Sequence, residues 1–183
     1  NPEIFEDWTT QFGTKNKELL VHNTDEFQKA YNINDSRQTF LALVPAIRMV
    51  EDQYLNNFLS SELLLALKTT TISSTLLKLK EYTQKAVVAF TIAKVYDEGI
   101  FNLDASGIKL KFDTLPNEKV QAVDQIQMQH AIKKQLDNGT NYMNLAKQII
   151  TDNPTDFSDY TNPLKNTTPT TYVAYNTQGV VGI

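Results

Sequence analysis

Apolar residues recur at helical spacing over much of this chain, and that pattern predicts a mainly α-helical fold. It is clearest in Asp35–Ala66, where Phe40, Leu43, Val44, Ile47, Val50, Tyr54, Leu55 and Phe58 fall on one stripe. Asp35 with Gln38 has capping-box spacing and predicts the helix start. Pro45 lacks the N–H that would bond to Leu41, so the helix either kinks there or starts afresh with Pro45 in its first turn. Ser60 or Ser61 caps a second, short helix over 61–68. Residues 75–97 predict the central helix. Its second half, Ala86 to Ala93, is apolar almost all round, which requires burial on several sides, and Gly99 supplies the stop.

Shorter signals flank these helices. Glu18–His22 reads as a short strand, and Asn23 with Glu26 caps a helix running to about Tyr31. Beyond Gly99, Ile108, Leu110 and Phe112 alternate with Lys109 and Lys111, a strand period. With Ile100–Leu103 opposite, this predicts a β-hairpin over about 100–112 with one wet face. The two lysines are most simply solvent-facing, and otherwise would meet an acidic partner. Pro116 and Asn117 lead into a polar helix over 117–137 that Asn138-Gly139 ends. Tyr142, Leu145, Ala146 and Ile149 then mark a final helix to about Ile150. The expected architecture is a bundle of about four to five helices with one β-hairpin insertion and extended N- and C-terminal arms. Residues 1–17 form the N-terminal arm, 18–152 the helical domain and 153–183 an extended C-terminal tail.

The arms are the candidate partner-binding parts. Ile4, Phe5, Trp8 and Phe12 stand among polar residues, as in a segment that anchors aromatics on its own domain or on a neighbour. The tail is rich in Thr, Asn and Pro, with apolar spots at Tyr172, Val173, Tyr175, Val180 and Val181 and no helical period. Such a segment becomes ordered by lying on a surface, often as an added strand or clamp on another subunit.

Composition narrows the function classes. A chain of 183 residues, 41 % hydrophobic and 21 % charged, is one ordinary globular domain. A net charge of −4 argues against non-specific nucleic-acid binding. The absence of cysteine removes disulfides, thiolate zinc sites and cysteine nucleophiles, and fits a protein made in a reducing cytoplasm. No apolar run is long enough to span a bilayer, and the acidic start lacks the layout of a signal peptide, so no membrane role is expected.

Candidate chemistry is sparse. There is no phosphate loop, nucleophile elbow, zinc-protease motif or calcium loop, and no cofactor is expected. His22 and His130 each lack a second ligand at metal spacing. Asp152, Asp156 and Asp159 cluster loosely near Pro154, as in a solvated turn rather than a cation site. Glu51 stands out, because it falls inside the apolar stripe. A buried carboxylate is either a general acid or one half of an internal pair. Arg48, one turn back, and Lys94, on the central helix, are the candidate partners, and a structural pair is favoured because no second catalytic group can be named.

The order and spacing of several pieces resemble a family of small virion proteins from tailed phages and prophages of Bacteroidetes bacteria, similar in layout to head–tail connector (head-completion, adaptor) proteins. The matching residues are Leu20–Phe27, Tyr31–Ile33, Leu43–Ile47, Val50–Leu55, Phe58-Leu59, Glu62-Leu63 and the stretch Ala89–Ile108. The resemblance spans about 19–155 and leaves the tail outside. It departs where such proteins tend to carry a Gly after the first long helix and this chain has Ser60-Ser61. The resemblance implies a non-enzymatic subunit of a closed ring of about twelve copies at the head–tail interface of a virion, with a head-to-tail interface between copies. Its partners would be its own copies, the portal protein and tail or stopper proteins. DNA would pass along the channel without specific binding, which an acidic wall permits. The alternative is a small helical adaptor or regulator in a bacterial cytoplasm that binds one protein through its tail. An enzyme would need a pocket joining Glu51 to His22 or His130.

Overall fold

In the computed structural model the described residues are 18–69, 73–97, 101–104, 107–110 and 125–165. The fold over them is mainly helical. Helix α1 is Thr24–Gln28, α2 Arg37–Val50, α3 Ser61–Leu67, α4 Ser74–Asp97 and α5 Gln125–Asp152. The rod begun by α2 continues through a π-helical turn, Glu51–Leu55, and a last α turn, Asn56–Phe58. The backbone of Phe101–Asp104 (β1) pairs antiparallel with Gly107–Leu110 (β2), Phe101 opposite Leu110 and Asp104 opposite Gly107.

Helices α4 and α5 are the long elements, about 36 and 42 Å at 1.5 Å per residue. Thr75 meets Asp156 just beyond α5, Tyr82 faces Tyr142, and Phe90 lies against Gly139. These contacts run in opposite senses along the two helices, which are therefore antiparallel. The all-apolar half of α4 is buried from Ala86 through Ala93, together with Val95 and Tyr96, because α2, α3 and α5 cover it from different sides. The two buried threonine hydroxyls of α4 need no foreign partner: Thr83 donates to the Leu79 carbonyl at 2.8 Å and Thr91 to that of Val87 at 2.7 Å. Tyr96 reaches the Tyr31 hydroxyl at 2.8 Å, tying α4 to the chain after α1.

Burial, reinforced by that hydroxyl, pushes the Tyr96 phenol above its ordinary range. The folded value lies above the unfolded one of about 10, so this contribution to stability is complete below about pH 10 and is lost as the pH rises further. Tyr31→Phe is expected to lower stability by about 1 kcal/mol, read by urea unfolding, and to weaken the alkaline dependence.

Helix starts follow side-chain caps. Asn23 accepts from the Glu26 N–H at 2.8 Å, the cap expected for α1, while the Glu26 carboxylate accepts from the N–H of His22, one residue before the cap, at 3.0 Å instead of from Asn23 itself. Ser60 caps α3 by accepting from Leu63. The cap of α2, however, is Ser36 and not Asp35. Asn34 and Asp35 both sit at φ 55°, in the left-handed region, whereas an N-cap needs extended backbone. Pro45 neither restarts nor ends α2. It lies on the exposed side beside exposed Leu41, so the carbonyl it leaves unbonded faces water.

Three further expectations are corrected. Glu18–His22 is not a strand but a turn whose Leu19, Leu20 and Val21 are buried. Its backbone bonds go to side chains: the Leu20 N–H to Glu51, and the Leu20 carbonyl to Gln84 Nε2 at 2.9 Å. Asn138-Gly139 does not end a helix, because α5 runs through it. A Cβ at Gly139 would stand 2.5 to 2.8 Å from three atoms of the Phe90 ring, so this glycine serves close helix approach rather than termination. Finally, residues 153–165 do not leave as an extended arm, and the rest of the expected tail lies outside the described residues. Pro154–Phe157 forms a 3₁₀ turn with Phe157 buried, and Leu59 and Leu164 make an antiparallel bridge. In that clasp Ser60 N–H donates to the Pro163 carbonyl at 3.0 Å and Lys165 N–H to the Phe58 carbonyl at 2.9 Å.

Candidate functional site

Glu51 opens the π turn and is 3 % exposed. A π turn holds more than four residues, so it re-phases the rod: Leu55 turns fully inward, while Tyr54 swings aside to stack on Phe90 at 4.2 Å. Burial pushes the Tyr54 phenol up. Glu51 is thereby aimed at the gap between the 18–22 turn and α3. One carboxylate oxygen accepts from the Leu20 N–H, and the other meets Lys68 Nζ at 2.8 Å.

The internal pair expected for Glu51 therefore exists, but its partner is Lys68, not Lys94 or Arg48. Lys68 was missed because it lies at the far end of α3, brought back only by the turn at Leu59–Ser60. Arg48 is exposed and pairs with Glu18, whose carboxylate holds the guanidinium above its ordinary value. Lys94 sits half-buried on α4. With both oxygens engaged, Glu51 joins three segments and acts as a clamp rather than an open acid.

Beside this clamp lies an open groove of about 640 Å³ between α1 and the first half of α4. His22, Glu26, Lys29 and Ala30 form one wall, Leu77, Lys80, Glu81, Gln84 and Lys85 the other, and Thr69 one end. Its charges are partly matched internally. His22 Nδ1 stands 3.0 Å from Glu26, and Lys85 Nζ 2.6 Å from Glu81. Glu81 raises the Lys85 ammonium above its ordinary value. Glu51 sets the near wall, because the turn it holds leads directly into His22.

The remaining candidates are placed as follows. His130 is exposed on α5. Asp156 accepts from the Thr75 hydroxyl at 2.5 Å, and among the described residues no group of three acidic or histidine side chains is placed to hold a metal ion. Trp8, Tyr172, Val173, Tyr175, Val180, Val181 and Lys111, and the side chain of Lys109, lie outside the described residues. Among the described residues no helix is long and apolar enough to cross a membrane.

A family model described as a family of unknown function, DUF6712, matches residues 47–170, from the middle of α2 to just past the Leu59–Leu164 bridge. The chain belongs to the DUF6712 family. The match takes in the rod from Ile47 onward, α3, α4 and α5, and both partners of the Glu51–Lys68 pair, while α1, the 18–22 turn and the start of α2 lie before it. No curated protein and no solved structure matches this DUF6712 member.

Proposed function

We propose that this protein is a structural, non-enzymatic subunit of a tailed-phage virion, a head–tail connector or adaptor that assembles as a ring between portal and tail and lines the DNA channel. In this reading the body is a helical bundle carrying a hairpin between α4 and α5, with a C-terminal arm that grips neighbouring chains. The resemblance in residues 19–155 motivates the reading. The observation that carries it is the clasp at residues 163–165: the Pro163 carbonyl accepts from Ser60 N–H and Lys165 N–H donates to the Phe58 carbonyl, which fixes the chain on the body immediately before the Tyr- and Val-dotted sequence 166–183. An arm on a rigid anchor suits strand addition to another subunit. The Glu51 carboxylate, the one acid buried in the described core, supports the same reading, since both its oxygens are engaged within the scaffold.

The same docking of residues 153–165 on their own body favours a second reading, a monomeric helical adaptor that binds one host protein. Purified particles encoded with this chain decide between them. The connector reading expects the protein in the particle and its density as a ring at the neck, and truncation after Lys165 is expected to abolish incorporation while leaving the melting temperature unchanged. Absence of the chain from particles would end the connector reading.

A further inference from the structure

The groove between α1 and α4 has an unmatched positive surplus. Of its five charged side chains other than His22, Glu26 and Glu81 are already engaged. Among the described residues neither Lys29 nor Lys80 meets a carboxylate within salt-bridge distance. On the same wall as Lys80 stands Leu77, 58 % exposed, an apolar side chain that nothing described covers. A ligand for this surface must therefore bring acids and apolar bulk together on a narrow, elongated body.

The chain supplies such a segment itself. Residues 3–8, Glu-Ile-Phe-Glu-Asp-Trp, carry three acids, two aromatics and an isoleucine with no basic residue among them. The described chain resumes at Glu18, and His22 already lines the groove. The ten residues from Trp8 to Glu18 span up to about 35 Å when extended, ample to bring the segment back along the groove. We infer that the groove binds the N-terminal segment Glu3–Trp8 of the same molecule, with its carboxylates at Lys29 and Lys80 and an aromatic ring over Leu77. The tether favours this intramolecular docking through high effective concentration. The inference goes beyond the connector reading and does not depend on it.

Trp8 is the single tryptophan, so its fluorescence in the full chain reports the docking directly. Acrylamide quenching is expected to show a shielded Trp8 in the native protein. Lys29→Glu with Lys80→Glu is expected to shift the ratio of docked to free segment about tenfold toward free, with a red-shifted emission and unchanged far-ultraviolet circular dichroism. Adding Glu3→Lys and Glu6→Lys to that variant restores the shielding. Leu77→Ser, which alters no charge, exposes Trp8 independently. Three results would overturn the inference: native quenching equal to that of free N-acetyltryptophanamide, shielding that survives both the charge reversal and Leu77→Ser, or shielding lost on dilution, which would place the segment on a second copy.

Discussion

Lys68→Met is expected to destabilise the protein by about 3 kcal/mol, a fall of roughly 6–12 °C in melting temperature. The methionine keeps most of the side chain's volume, so packing changes little and the loss isolates the charge. What remains is a carboxylate 3 % exposed whose one remaining described partner is the Leu20 N–H. Removing half of a buried pair is costly for this reason, whereas removing both halves often is not. Glu51→Met in the same molecule is therefore expected to recover part of the loss, leaving mainly the cost of the orphaned Leu20 N–H, about 1–2 kcal/mol. Chemical denaturation of the two single variants and the double variant measures the coupling. A coupling energy near zero would mean that the pair contributes nothing to the fold.

Gly139→Ala should also destabilise, although alanine is the better helix former. Helix propensity alone would favour the change by about 1 kcal/mol. Against this stands the Phe90 ring, which the new Cβ would meet at 2.5 to 2.8 Å. The ring cannot simply turn away, because it is stacked on Tyr54 with planes 9° apart. Overpacking of this kind costs about 3 kcal/mol, for a net loss of about 2 kcal/mol. Phe90→Leu removes the ring, and in that background Gly139→Ala is expected to be neutral or stabilising. The reversal of sign, followed by thermal unfolding, distinguishes helix crowding from a general dislike of substitution at this position.

Gly139 also shows why part of the fold was illegible. Asn-Gly after a polar helical stretch is a stop signal on local grounds, and only the approach of α4 turns it into a packing position. Helix α4, the Asn23 cap of α1 and the Ser60 cap were readable because each depends on residues a few positions apart. The cap of α2 was displaced by one residue because two consecutive residues take left-handed backbone, which no spacing rule reveals. The short apolar run at 18–22 reads as a strand, but its backbone bonds go to side chains on the rod and on α4. Burial of Glu51 was legible from its place in the apolar stripe. Its partner was not, since Lys68 is brought near by a change of direction at Leu59–Ser60. The groove left no periodic trace at all, because its walls come from α1 and α4, separated by the whole of α2 and α3.

The clasp at Leu59–Leu164 has a mechanical corollary. A pull arriving along the chain beyond Lys165 would be met first by two backbone hydrogen bonds, donated by the Ser60 and Lys165 N–H groups, and by the Lys165 ammonium seated on the Asn56 carbonyl at 3.0 Å. These attach at the seam between the rod and α3. Tension would thus be shared by both helices at their junction, and the 3₁₀ turn that buries Phe157 would be shielded from strain until the seam itself gave way.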